Sequence, residues 1–173
     1  MNVVITNRQR ARKINSRLLK KIAEALLTDL EIQEAELGVS LVAAREMTLI
    51  NETFLQHEGP TDVITFDYSA GQALRLFQSS SKKNGDRRDA CPTLHGEIFI
   101  CVNETVSQSK KFKTTWQSEI ARYLVHGVLH LLGYDDHLAA ARRRMKREEN
   151  RLLAGLSKKF CLAQIGGASK LRR

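Results

Sequence analysis

The chain reads as α+β: a small mixed four-stranded sheet packed with about five helices in a single domain of 173 residues. Three observations predict this. Short β-branched runs alternate with segments whose apolar residues recur at helical spacing, the pattern of helical crossovers between parallel strands. The third and fourth runs lack such a segment between them, which allows an antiparallel pair. The length suits one core, and neither an internal repeat nor a dividing linker is visible.

The elements follow in order. "NVVIT" at 2–6 is β-branched and weakly alternating, a first strand. Across 14–30, Ile14, Leu18, Ile22, Ala25 and Leu26 mark an amphipathic helix. "LGVSLVAA" at 37–44 is a second strand with Gly38 at its entry, and 45–55 a short helix through Met47, Ile50 and Phe54. "HEGP" breaks the chain before a third strand, "TDVITFDY", at 61–68. Residues 69–93, rich in Ser, Gly and charge, read as a surface loop in which "QALRLF" can form a helical turn. "GEIFICV" at 96–102 is the fourth strand, and Asn103 suits the N-cap of the helix that follows. A long helix spans about 115–132. A last one spans about 137–154, with Leu138, Ala141, Met145 and Leu152 on one stripe. The domain is therefore set at 1–155, with 156–173 a basic, flexible tail.

Composition narrows the classes. With 42% apolar and 27% charged residues the chain resembles soluble globular proteins. No run is long enough to span a bilayer, and "MNVVITNRQRARK" lacks the apolar stretch of a signal peptide, so a cytoplasmic location without membrane contact is expected. Cys91, Cys101 and Cys161 are odd in number and widely spaced, which fits reduced thiols. The net charge of +9 suits a polyanionic partner through counterion release, although a solvated basic face explains it equally. Aromatics make up only 6%, so no base-stacking platform is evident.

The chemistry concentrates in "YLVHGVLHLLGYDDH", residues 123–137. His126 and His130 sit in an otherwise oily helix, where an unpartnered imidazole costs about 1–3 kcal/mol. Four-residue spacing puts both rings on one face, as a single metal ion requires. Gly127 costs about 1 kcal/mol relative to alanine, which calls for something approaching it closely. Gly133 can take the left-handed conformation that ends the helix and returns residues 134–137 towards the histidines. A third ligand is then available from Asp136 or His137, and three protein ligands with an open position is the catalytic form of a zinc site. The alternative is that Asp135 or Asp136 merely caps the last helix.

"HGVLHLLGYDDH" resembles the signature of the YbeY family, bacterial metal-dependent endoribonucleases of ribosomal RNA maturation. "NETFLQHEGPTDVITFD", "GEIFIC" and "NRQR" resemble further family segments, so the likeness runs from about residue 3 to 154. It implies one Zn2+ per chain and a single-strand-specific hydrolase acting on small-subunit ribosomal RNA, with the ribosome or its proteins as partners. The family spaces three histidines as H-x3-H-x5-H, whereas here Asp136 occupies the x5 position and His137 follows it. Keeping Met145 on the buried stripe favours Asp136 as third ligand, with His137 the alternative, since a one-residue shift turns the next helix by about 100°. Leu55 stands where many members carry an arginine assigned to phosphate. Thr61, Asp62, Thr65 and Phe66 resemble the strand bordering the family's cleft, with structural roles expected. His57 is expected in a surface loop, and His95 has no motif around it.

Catalysis is assigned to His126 and His130 through a metal-activated water. A peptidase of the same spacing needs a glutamate after the first histidine, where this chain has Gly127. The other rival is a non-catalytic ribosome-associated protein with a structural metal.

Overall fold

β-Branched and aliphatic runs with two-residue alternation form the sheet, and the alternation decides what lies on each side of it. The computed structural model describes residues 1–69, 75–76 and 93–167. The elements are β1 (Asn2–Asn7), α1 (Ser16–Asp29), β2 (Glu34–Val42), α2 (Ala44–Ile50), a π turn (Asn51–Leu55), β3 (Val63–Asp67), β4 (Arg75–Leu76), β5 (Thr93–Cys101), α3 (Val102–Lys111), α4 (Trp116–Leu131), α5 (Ala139–Lys159) and a 3-10 turn (Leu162–Gly166). The strand order is β1-β2-β5-β3-β4. β1 and β5 flank β2 in parallel, with Val3 opposite Leu37 and Val39 opposite Ile98, while β3 runs antiparallel to β5 with Val63 opposite Ile100. The expected α+β domain with its mixed sheet is found, and a two-residue strand joins the edge beyond β3.

Period-two alternation divides the core. Leu37, Val39 and Leu41 of β2 and Leu94, Ile98 and Ile100 of β5 pack on α1, α4 and α5 in the main cluster. Phe99 and Cys101 point the other way, with Val42, Ile64, Phe66 and Met47, into a smaller cluster under α2. α4 is the central helix, with Ile120, Leu124, Val125, Val128 and Leu129 fully buried. A Cβ at Gly127 would lie 2.8 Å from two carbons of Ile98. The close approach expected at that glycine is therefore the sheet itself, and it sets α4 hard against β5.

Several boundaries differ from the sequence reading. β2 begins at Glu34, in register with Thr93, and stops at Val42, because Ala43 already caps α2. Within "QALRLF", Arg75–Leu76 is extended and pairs with Phe66 and Asp67 instead of forming a helical turn; 70–74 and 77–92, including Cys91, lie outside the described residues. Cys101 and Cys161 are free thiols. Leu138 is 71% exposed, off the buried stripe, as the N-cap of α5.

The largest correction concerns the tail expected from 156. α5 continues to Lys159, Leu156 is fully buried, and the Ile165 side chain packs into the main cluster while its carbonyl accepts the Asn15 N–H at 2.8 Å. The chain is thus tied down past 155 because apolar residues continue the buried stripe; 168–173 lie outside the described residues. Among the described residues, no helix is long and apolar enough to cross a membrane.

Candidate metal centre

α4 presents His126 and His130 one turn apart, with their Nε2 atoms 3.0 Å from each other and their rings nearly perpendicular at 82°. Gly133, at φ +85°, ends the helix as its residue type predicts, and its N–H donates to the His130 carbonyl at 2.8 Å. The Tyr134 N–H donates to Leu129 O at 3.0 Å, so the chain doubles back beneath the histidines. The guanidinium of Arg142, in the first turn of α5, donates to the carbonyls of Asp136 and His137 at 2.9 and 3.3 Å and holds the turn in place. Asp136 Oδ2 then lies 4.0 Å from His126 Nε2.

Donor atoms of His126, His130 and Asp136 all fall within 4.8 Å of one another. His137 is placed differently: 60% exposed, with Nε2 3.8 Å from Asp135 Oδ1, it groups with Asp135 and Asp136 and not with the two helical imidazoles. A tetrahedral zinc with bonds of 2.0–2.1 Å separates its ligands by about 3.3 Å. The separations of 3.0 and 4.0 Å straddle that edge, so two imidazole nitrogens and one carboxylate oxygen could hold a metal ion of that size.

The second nitrogen of each ring is also engaged. His130 Nδ1 lies 3.0 Å from Tyr134 O. A carbonyl only accepts, so Nδ1 carries the proton and the Nε2 lone pair faces His126. Burial, and then the nearby His126, hold the His130 pKa below its ordinary value, so the ring stays neutral into mildly acidic solution. His126 Nδ1 lies 3.1 Å from Oε2 of Glu149, a buried carboxylate on α5. The other oxygen of Glu149 accepts from Arg122 Nη1 and, at 3.1 Å, from Lys146 Nζ. Burial pushes the Glu149 pKa up, but donation from His126, Arg122 and Lys146 outweighs it and takes the value to about 2.

A cleft of about 600 Å³ opens beside His126, lined among others by Asp62, Lys111, Phe112, Arg122, Lys146 and Glu149. Burial, with the facing Asp62 carboxylate next in weight, raises the Tyr123 phenol on its wall.

Of the residues considered from sequence, His126, His130 and Asp136 converge, and Asp62 reaches the cleft. Phe66 packs in the smaller cluster, as expected of a structural residue, and Leu55 lies half-buried against that same cluster. His95 lies on the far face of the sheet, 3.3 Å from Glu36. The His57 N–H donates to Asn51 O at 3.5 Å in the loop after the π turn. Sequence reasoning missed Glu149, Arg122, Lys111 and Lys146. Glu149 had a signal: it falls four residues after Met145, on the buried stripe of α5, where an acid needs a partner.

Comparison with known proteins places the chain in a family. The family model described as endoribonuclease YbeY matches residues 4–157. A protein named endoribonuclease YbeY from Syntrophotalea carbinolica is 33% identical over 158 residues, covering 90% of this chain and 96% of that one. One of the same name from Chlorobium luteolum is 31% identical over 156 residues, covering 90% and 98%. The solution structure of TM1509 from Thermotoga maritima shares the fold, with a TM-score of 0.60 at 21% identity and 99% coverage of both chains. On the family match over residues 4–157 and on relatives that cover 90% of the chain, it belongs to the endoribonuclease YbeY family.

Proposed function

We propose that this protein is a zinc-dependent endoribonuclease that cuts single-stranded RNA during maturation of small-subunit ribosomal RNA, working in the cytoplasm with the ribosome as its partner. The metal set is His126, His130 and Asp136, and the observation that carries the reading is the convergence of their three donor atoms, with His126 also lining a cleft that contains cations. A zinc ion held there supplies polarisation of a phosphoryl oxygen and a water of lowered pKa. The chain's own part is to hold two imidazoles on a rigid helix, bring a carboxylate in from the turn, and offer Lys111 and Lys146 to the RNA backbone along the cleft. Because protonated imidazoles cannot ligate, zinc uptake and cleavage should both weaken in acid.

The test pairs metal analysis of the purified protein with cleavage of a single-stranded oligoribonucleotide by His126→Ala. A variant that folds normally, loses zinc and no longer cuts supports the proposal. Unfolding on metal removal, with cleavage never seen in the wild type, would instead make the metal structural and the protein a ribosome-binding module.

A further inference from the structure

His130 and His126 reach the same point with different support. The acceptor for His130 Nδ1 is a carbonyl four residues away, in the turn that ends its own helix. His126 has no such local acceptor and takes one from a separate helix, 23 residues on. A neutral imidazole has one N–H to place, and His126 has candidates at both ends. At Nε2 stand the His130 nitrogen, 3.0 Å away, and Asp136 Oδ2, 4.0 Å away. At Nδ1 stands Glu149 Oε2, 3.1 Å away. A proton at Nε2 would block the very atom that faces the other two donors.

We infer that Glu149 is a positioning residue that keeps the His126 proton on Nδ1 and so leaves Nε2 free to ligate; the role assigned to that free nitrogen rests on the metal-centre reading above. The two oxygens of Glu149 divide the work. Oε1 accepts from Arg122 and Lys146, which can only donate, and this fixes the carboxylate plane. Oε2 is left pointing at His126 and can only accept. Carboxylate partners of this kind set ligand tautomer and orientation, and losing one typically weakens metal binding about 10–100-fold.

The division of the two oxygens yields a sharp test in Glu149→Gln, which keeps the shape of the side chain. The two cations claim the amide oxygen, so the NH2 group must face His126 Nδ1, and the ring proton moves to Nε2. In the metal-free, histidine-labelled protein above pH 7.5, 15N NMR should show His126 as the Nδ1–H tautomer in the wild type and as Nε2–H in Glu149→Gln. Zinc affinity, measured by competition with a chelator, should fall about 10–100-fold in the variant. A wild-type ring already protonated on Nε2 overturns the inference without recourse to any variant, as does a Glu149→Gln protein whose tautomer and zinc affinity match the wild type. Failure of the wild type to take up zinc sinks the metal-centre reading instead, since the tautomer is read with no metal present.

Discussion

Two histidine–glutamate contacts sit on opposite faces of one sheet. His95 Nε2 is 3.3 Å from Glu36, and His126 Nδ1 is 3.1 Å from Glu149. Their lengths are nearly equal, but their surroundings are not. The first pair has side chains 52% and 70% exposed, so water screens both groups and either can turn away. In the second they are 22% and 5% exposed, the glutamate is gripped by two further cations, and the far side of the ring faces two more donors. Distance alone does not distinguish a held contact from a loose one. Burial and convergence do, because they remove the alternatives each group would otherwise find in solvent.

The comparison can be broken most directly at the ring nitrogens. His126→Ala or His130→Ala should bring cleavage of single-stranded RNA to background with the fold retained, whereas His95→Ala should leave the rate unchanged; equal losses in all three would erase the distinction. At the third ligand, Asp136→Ala should deplete zinc and His137→Ala should not, as metal content after dialysis will tell. A reversed pattern assigns the ligand to His137.

Acid comes next in size. Glu149 has a folded pKa of about 2 against an ordinary 4.5. The folded state thus binds this proton less readily than the unfolded chain, and the associated stability, on the order of 3 kcal/mol, is complete above pH 4.5 and drains away as pH falls towards 2. Denaturant melts from pH 6 to 3 should show most of that loss in the wild type and little of it in Glu149→Gln. Gly127→Ala forces a methyl into Ile98 and should cost about 1–3 kcal/mol in the same assay. At the bottom of the scale, Glu36→Ala should change stability by less than about 0.5 kcal/mol.

The parts legible in the sequence were those whose signal is local. The oily helix with histidines at i and i+4, the Gly133 stop and the returning Asp136 all lie within twelve positions, and spacing on a helix fixes geometry without knowledge of the fold. Strand ends were less legible because register bears on them: Thr93 of β5 pairs with Glu34 of β2, a partner no local pattern reveals. α5 runs past the expected end at about 154 because Leu152, Leu153 and Leu156 continue its buried face, while Gly155 sits in open space on the helix. The cleft was least legible of all. Lys111, Arg122 and Lys146 come from three helices, and their meeting depends on packing angles that no single segment encodes.

The Ile165 seat has a practical side. Shortening the chain at residue 155, as a reader of the sequence alone would do, pulls a stopper from the slot beside the start of α1 and strips the fully covered Leu156 along with it. Such a trimmed protein would aggregate or melt early for reasons unrelated to its chemistry, and a lost activity would be blamed on the wrong residues. Any shortened version should keep everything through Gly167.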